Sequence, residues 1–132
     1  MPHPAILEIY RRDPRYACEA YEFVFEALAY TQQKLGRVPT EGAEAEQGNY
    51  HVTGQELLEG IRELALEQFG KMALTVFRQW GIRTTDDFGE IVFNLVDAGL
   101  MSKRPEDSRE DFHNVYDLEQ ALANYQIRLD EL

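Results

Sequence analysis

Apolar residues recur at helical spacing along most of the chain, and single glycines and prolines divide it into segments. Ahead of Gly36, the polar residues of one stripe follow one another at spacings of three, four and seven, and nearly all residues between them are apolar. This pattern predicts one long helix, which Asp13-Pro14 begins and Gly36 ends. Because its apolar surface is so broad, we expect the helix from Tyr16 to Leu35 to be either the central helix of the domain or the interface of a homodimer.

Signals for helices are sharper in the second half of the chain. Thr53 and Glu56 have the spacing of a capping box, and apolar residues then recur at helical spacing as far as Phe69. We expect the chain to bend at Gly70 and to continue as a helix over residues 71–80.

Threonines and aspartates mark the start of the next predicted helix, which Gly99 ends. Either Thr84 or Thr85 is its N-cap, and the aspartates that follow suit the positive end of the helix dipole. Two short apolar segments around a polar turn at residues 104–108 then predict a β-hairpin. A capping box over residues 117–120 predicts a last helix.

These elements predict a mainly α fold with one small β-hairpin, in a single domain of residues 1–132. The N-terminal helices occupy residues 1–36 and include a short one over residues 3–12. A flexible connection of residues 37–52 follows, because its glycines, proline and glutamates have no period and few groups to bury. Residues 53–132 form the other half of the domain.

The element order over residues 53–117 resembles a winged helix, in which a β-hairpin follows the helix that enters the DNA groove. This resemblance implies a helical domain with a winged-helix-like C-terminal half. It also raises the question of nucleic-acid binding, which the charge of the chain bears on below.

Three strings resemble a small bacterial family of conserved hypothetical proteins, the Minf type. They begin at His51 (HVTGQELLEGIR), Trp80 (WGI) and Asp87 (DFGEIVFNL). The resemblance covers roughly residues 16–122 and is weakest over residues 40–49. It implies membership of a family to which no activity is assigned, so it predicts no mechanism.

The charge of the chain narrows the classes of function. The 132 residues include 13 basic and 24 acidic side chains, for a net charge of −11. Binding to nucleic acid or to an anionic membrane depends on Lys and Arg, so this balance argues against both as the general activity. No stretch has the length of apolar sequence that spans a bilayer, and no secretory signal is recognisable. We therefore expect a cytoplasmic protein.

Sequence motifs for catalysis and metal binding are missing. There is no Gly-x-Ser-x-Gly, Walker or Gly-x-Gly-x-x-Gly motif, and Cys18 is predicted to be a buried residue in the middle of a helix. His3, His51 and His113 lack the partners of a metal site, and Glu110-x-x-His113 falls in the predicted hairpin. A single cysteine excludes an intramolecular disulfide. We expect neither an enzyme nor a bound cofactor or metal.

Binding through a surface is the function that these exclusions leave. The leading hypothesis is a non-enzymatic module for protein–protein contacts, based on an acidic helix face and on more aromatic residues than one apolar stripe needs. Candidate binding residues are His51 and Gln55, within the longest string that resembles the family, and Asp87 and Glu90, on the acidic face.

Two alternatives stay open. One is a nucleic-acid-associated regulator that uses a local basic patch of Lys71, Arg78 and Arg83. The other is a small-molecule or catalytic pocket between the N-terminal helices and the second half, for which a concave cluster around His51 and Gln55 would be the evidence.

Overall fold

Six α-helices and two short 3₁₀ helices make up the part of the chain that the structure, a computed structural model, describes: residues 3–37 and 51–123. No β-strand occurs within these residues, so the described fold is all-α. The α-helices are α1 (Pro4–Arg12), α2 (Cys18–Lys34), α3 (Gly54–Phe69), α4 (Ala73–Gln79), α5 (Thr85–Asp97) and α6 (Leu118–Ala123). The 3₁₀ helices span Gly70–Met72 and Arg109–Phe112.

Helices α2 and α3 share the most extensive contact in the described fold, and α5 packs against both of them. The close approach of α2 and α3 requires glycine at position 60, where a Cβ would lie 1.8 Å from Oγ1 of Thr31. On α5, Phe88, Ile91 and Leu95 are fully buried. α5 is therefore a central element of the core.

Aromatic rings fill the core where α2, α3, α4 and α5 meet. The ring centroid of Phe77 lies 5.7 Å from that of Phe23 and 5.2 Å from that of Phe88. Trp80, just after α4, has its ring 5.6 Å from Phe23 and 5.8 Å from Phe69. Edge-to-face and tilted pairs at these distances stabilise a core beyond the burial of their area.

The aromatic residues that suggested a homodimer are packed largely within one chain. Tyr16, Tyr21 and Phe23 are buried, and Phe25 and Tyr30 are half-buried against the same core. This helix is thus a core helix of the described fold. Dimerisation through it stays a prediction.

The predicted helix signals around α3 and α5 are confirmed. Thr53 and Glu56 form the capping box of α3, and the chain turns through a 3₁₀ helix at Gly70. Thr84, with Asp87, forms the capping box of α5. Each capping box involves only residues within one turn of the helix start, so it can be recognised in the sequence without knowledge of the tertiary structure.

The prediction that Asp13 begins α2 is wrong, since the helix starts at Cys18. The Asp13 carboxylate instead accepts two hydrogen bonds from the Arg15 side chain, at 2.8 and 2.7 Å, and one from Asn94 on α5, at 3.0 Å. It joins α5 to the segment before α2 rather than capping a helix. Cys18 is accordingly the first residue of α2 and not a residue in its middle.

The predicted β-hairpin is wrong, and with it the winged-helix-like half. The described residues after α5 form turns and the 3₁₀ helix Arg109–Phe112. Phe112 is buried against α3 at Gly54 and against α5 at Gly89. A methyl group added at Gly54 would lie 3.0 Å from the ring of Phe112, and one added at Gly89 would lie 2.8 Å from the Cβ of Phe112. The Phe112 carbonyl accepts a hydrogen bond from Oγ1 of Thr85 at 2.7 Å, and not from a second strand. The segment is thus held by contacts with the helices.

Two predicted elements lie partly outside the described residues. The flexible connection was predicted over residues 37–52, of which 38–50 are not described. The last predicted helix starts as expected at Leu118, where Asp117 accepts a hydrogen bond from the backbone N–H of Gln120 at 3.0 Å, and its part beyond Ala123 is not described.

Candidate functional site

A cavity of about 210 Å³ lies between α2, the start of α3, and the segment that follows α5. We call it the His51 cavity. Its apolar wall includes Leu28, Val52, Leu57, Val92, Met101 and Phe112. Its polar lining consists of Gln32, His51, Thr53, Ser102, Lys103 and Asp107. A mostly apolar wall with a few polar groups on it is the usual make-up of a small-molecule site.

His51 and Asp107 face each other in this cavity. Nε2 of His51 lies 3.1 Å from Oδ2 of Asp107, and the two side chains are only 19% and 17% exposed. The distance is that of an ion pair, but the geometry is not that of a hydrogen bond, and buried Nε2 has no hydrogen-bond partner in the described residues. Buried nitrogen atoms without a hydrogen bond are rare in proteins, because they lose water and gain nothing in return.

The turn at residues 104–107 positions the Asp107 carboxylate. Oδ2 of Asp107 accepts a hydrogen bond from the backbone N–H of Arg104 at 2.8 Å. Nζ of Lys103 lies 3.4 Å from the Arg104 carbonyl and 3.5 Å from the Asp107 carbonyl. The carboxylate is therefore fixed by its own backbone, independently of His51.

Arg37 positions His51 from the other side. Nη1 of Arg37 donates to the His51 carbonyl at 3.3 Å and to Oε1 of Glu56 at 2.6 Å. The same Glu56 oxygen accepts the backbone N–H of Thr53 at 2.9 Å. The hydrogen bonds from Thr53 and Arg37 lower the pKa of Glu56, so the carboxylate stays ionised and keeps the start of α3 in place.

The other residue predicted beside His51 does not join it. Gln55 lies exposed on α3 and is not among the residues that line the cavity. The structure thus places a concave cluster at His51 but not at Gln55.

Asp87 serves the local structure of α5. Oδ2 of Asp87 accepts the backbone N–H groups of Arg83 and Thr84 at 2.8 and 3.1 Å, and Oδ1 accepts the hydroxyl of Tyr16 at 2.6 Å. Burial and this hydrogen bond to the carboxylate raise the pKa of Tyr16. Both oxygens of Asp87 are therefore occupied within the chain.

Glu90 lies one turn further along α5, between two arginines. Its Oε2 is 3.7 Å from Nη2 of Arg15 and 3.4 Å from Nε of Arg109, whose guanidinium also lies 4.8 Å from the centre of the Phe93 ring. The predicted acidic face of α5 is partly covered by these two arginines.

The three residues of the predicted basic patch are exposed on successive parts of the fold. Lys71 belongs to the first 3₁₀ helix, Arg78 to α4, and Arg83 to the turn before α5. Arg83 also borders a second cavity, of about 180 Å³, together with Asp86 and Asp117. Two carboxylates thus lie close to Arg83.

Metal binding finds no support in the described residues, which contain no group of three or more His, Cys, Asp or Glu suited to hold an ion. His113 instead lies with Nδ1 3.2 Å from Oδ1 of Asp86. No helix within the described ranges is long and apolar enough to cross a membrane.

Sequence reasoning singled out His51 but missed Asp107 and Phe112. Both fall in the segment that was predicted to be a hairpin, where Asp107 was counted only as a turn residue. The aspartate at the end of the Arg104-Pro-Glu-Asp turn is the one local signal for it. Nothing local indicates that the turn faces His51.

Comparison with known proteins identifies no relative. No protein-family model matches the chain, and neither a curated protein nor a solved structure is significantly similar to it. The resemblance to the Minf type therefore stays a prediction.

Proposed function

We propose that this protein is a small-molecule-binding domain whose ligand occupies the His51 cavity. One observation carries the proposal: a cavity of about 210 Å³ has a mostly apolar wall and a few polar groups, among them His51 and Asp107. A ligand with one polar group can bind to the polar lining of such a cavity, while its apolar part covers the wall.

The size of the cavity limits the ligand. Drug-sized ligands occupy pockets of about 300–1,000 Å³, whereas an apolar cavity of ~150 Å³ is enough for benzene. The 210 Å³ of the His51 cavity lie nearer to the second value. The fitting ligand has one ring or a short branched chain, with one polar group.

Binding is better supported than nucleophilic catalysis. A serine nucleophile requires a hydrogen bond to its base, as in Ser–His pairs. Ser102 lines the same cavity as His51, but within the described residues its hydroxyl makes no hydrogen bond with the imidazole.

A titration with benzyl alcohol, which has one ring and one polar group, tests the proposal directly. We expect amide chemical shifts to change at residues that line the cavity, with a dissociation constant on the order of 1 mM, about 4 kcal/mol of binding free energy for one ring. Met101→Trp fills the cavity and should abolish these changes. The matched control is Met72→Trp, because Met72 is 57% exposed and lies outside the cavity. Unchanged shifts in the wild type would refute the proposal.

A second candidate function is contact with another copy of the chain through α1. Leu7 and Tyr10 are spaced three residues apart, so they share a helix face, and they are 41% and 42% exposed. Sedimentation velocity over a range of concentrations tests this candidate. We expect a dimer that Leu7→Glu dissociates and that Thr75→Glu, at an exposed position of α4, leaves intact. A monomer at every concentration would exclude it.

A further inference from the structure

We infer that the ligand of the His51 cavity is a small carboxylic acid, whose carboxylate binds to Lys103 at the mouth of the cavity. This inference rests on the proposed function and adds the chemical class of the ligand. It follows from the charged residues of the cavity lining and from the partners that each of them already has.

The negative charge of the lining has its partners within the chain. Oδ2 of Asp107 lies at ion-pair distance from Nε2 of His51, 3.1 Å away, and accepts the backbone N–H of Arg104 at 2.8 Å. Nε2 of His51 is itself buried, so a ligand in the cavity does not reach it. The polar group of the ligand therefore binds to another part of the lining.

Lys103 is the charged residue of the lining that has no counter-charge among the described residues. Within them its Nζ approaches only two carbonyl oxygens, those of Arg104 and Asp107, at 3.4 and 3.5 Å. Both distances exceed the usual range of about 2.7–3.2 Å for an N–H···O hydrogen bond. An ammonium group has three donors, so Lys103 keeps the capacity for a shorter, charge-assisted bond to a carboxylate.

Lys103 is also placed where a ligand can reach it. It lines the cavity and is exposed to solvent, so it lies at the mouth. The stem of a lysine can cover apolar surface while its ammonium group stays in water. Ser102, the preceding residue, lines the same cavity, and its hydroxyl makes no hydrogen bond within the described residues. A carboxylate at the mouth can accept from both side chains, while the apolar part of the ligand covers the wall.

The overall charge of the protein acts against this preference and cannot produce it. The chain carries a net charge of −11, which repels anions at long range. At about 150 mM salt this repulsion is largely screened beyond ~8 Å. Tighter binding of an anion than of a neutral molecule of the same shape therefore reports a local cation.

The test compares benzoate with benzamide, which has nearly the same shape and no charge, by chemical-shift titration at about pH 7 and about 150 mM salt. We expect benzoate to bind about ten-fold more tightly than benzamide, because its hydrogen bond to the ammonium group is charge-assisted. Benzyl alcohol, the probe for the cavity itself, is titrated under the same conditions.

Variants of Lys103 assign the preference to this residue. Lys103→Gln should remove the preference for benzoate, because the amide is neutral, while benzyl alcohol still binds and shows that the cavity is intact. Lys103→Arg restores the charge and should keep the preference. Lys71→Gln is the matched control, since Lys71 is an exposed lysine of the first 3₁₀ helix outside the cavity, and it should also keep the preference.

The possible results separate the two proposals. If benzyl alcohol binds and benzoate binds no more tightly than benzamide, the carboxylate inference is overturned and the small-molecule site stands. A preference that survives Lys103→Gln, or that Lys71→Gln removes to the same extent, would also overturn the inference, because Lys103 would not be its source. If benzyl alcohol does not bind, the proposed function itself is overturned.

Discussion

Oγ1 of Thr31 on α2 occupies the space that a side chain on Gly60 of α3 would need. Thr31 is 2% exposed, and its hydroxyl donates to the Ala27 carbonyl at 2.7 Å, so it turns back onto its own helix. A Cβ at position 60 would approach this oxygen to 1.8 Å. The pair thus sets the distance between the two helices that share the largest contact of the fold.

Gly60→Ala should therefore destabilise the protein. We expect a loss of about 2 kcal/mol in the free energy of unfolding, because overpacking costs about 1–3 kcal/mol and the higher helix propensity of alanine returns less than 1 kcal/mol. Urea unfolding measures the loss. In a Thr31→Ala background the same substitution should cost clearly less, since the clashing oxygen is gone. Equal costs in both backgrounds would show that this contact does not set the helix spacing.

Thr85 holds the segment after α5 onto the helices. Its hydroxyl is fully buried, donates to the Phe112 carbonyl at 2.7 Å and accepts the N–H of Val115 at 3.1 Å. Thr85→Val keeps the shape but leaves both backbone groups without this partner, so we expect a loss of about 1–3 kcal/mol in unfolding free energy. Thr75→Val on the exposed side of α4 is the control and should change stability by less than about 0.5 kcal/mol.

The starts of the helices could be predicted from the sequence, but the path of the segment after α5 could not. Thr53 with Glu56, and Thr84 with Asp87, are local signals, so the starts of α3 and α5 were predicted correctly. The path of Phe112 depends instead on two glycines that lie far away in the chain, Gly54 and Gly89. Neither the hydrophobic periodicity nor the composition of the turn indicates a contact between residues so far apart in the chain. For this reason the two short apolar segments were interpreted as strands.

The candidate site was predictable to the same extent. His51 stood out as a polar residue directly before a capped helix, and it does line the cavity. Its partner Asp107 comes from a different segment, and only tertiary packing brings the two within 3.1 Å. Asp87 and Glu90 were correctly placed on α5, but the residues that cover them, Tyr16 and Arg109, belong to other segments.

Tyr16 makes stability sensitive to alkaline pH. Burial, and then the hydrogen bond to Asp87, raise its pKa above the ordinary value of 10.0. The unfolded chain therefore loses this proton first, so the stabilisation is complete below about pH 10 and is lost as the pH rises further. We expect the free energy of unfolding to fall above about pH 10, and to fall less steeply in the Tyr16→Phe variant.

Urea unfolding at about pH 9 and about pH 11 checks this prediction. Some slope should remain in Tyr16→Phe, because burial also raises the pKa of Tyr21 and Tyr116. Tyr10→Phe, at an exposed tyrosine of α1, should keep the wild-type slope. The same slope in Tyr16→Phe as in the wild type would contradict the role given to Tyr16.

Binding to DNA should be weak and should not depend on Lys71, Arg78 and Arg83. The chain carries a net charge of −11, and binding to DNA depends on Lys and Arg, so we expect little affinity for a duplex. Fluorescence anisotropy with duplex DNA at two salt concentrations measures this. Replacing all three basic residues by glutamate should leave the result unchanged. A steep loss of wild-type affinity with salt, absent from the variant, would instead support the nucleic-acid-associated regulator.

Arg37 should affect ligand binding although it does not line the His51 cavity. Its guanidinium holds both the His51 carbonyl, at 3.3 Å, and Glu56, at 2.6 Å. Without it the backbone at His51 loses one of its fixed points, so Nε2 no longer stays opposite Asp107. We expect Arg37→Ala to weaken the binding of benzyl alcohol severalfold in a chemical-shift titration.

Lys34→Ala is the matched control for Arg37. Lys34 also lies at the end of α2 and forms an ion pair with α3, but it does so with Glu63, away from His51. An exposed ion pair of this kind contributes at most about 1 kcal/mol, and its loss should leave the binding of benzyl alcohol unchanged. If Lys34→Ala weakened binding as much as Arg37→Ala, the effect would come from looser packing of α2 on α3. Binding weakened by Arg37→Ala alone would show that the arginine positions His51 for its ligand.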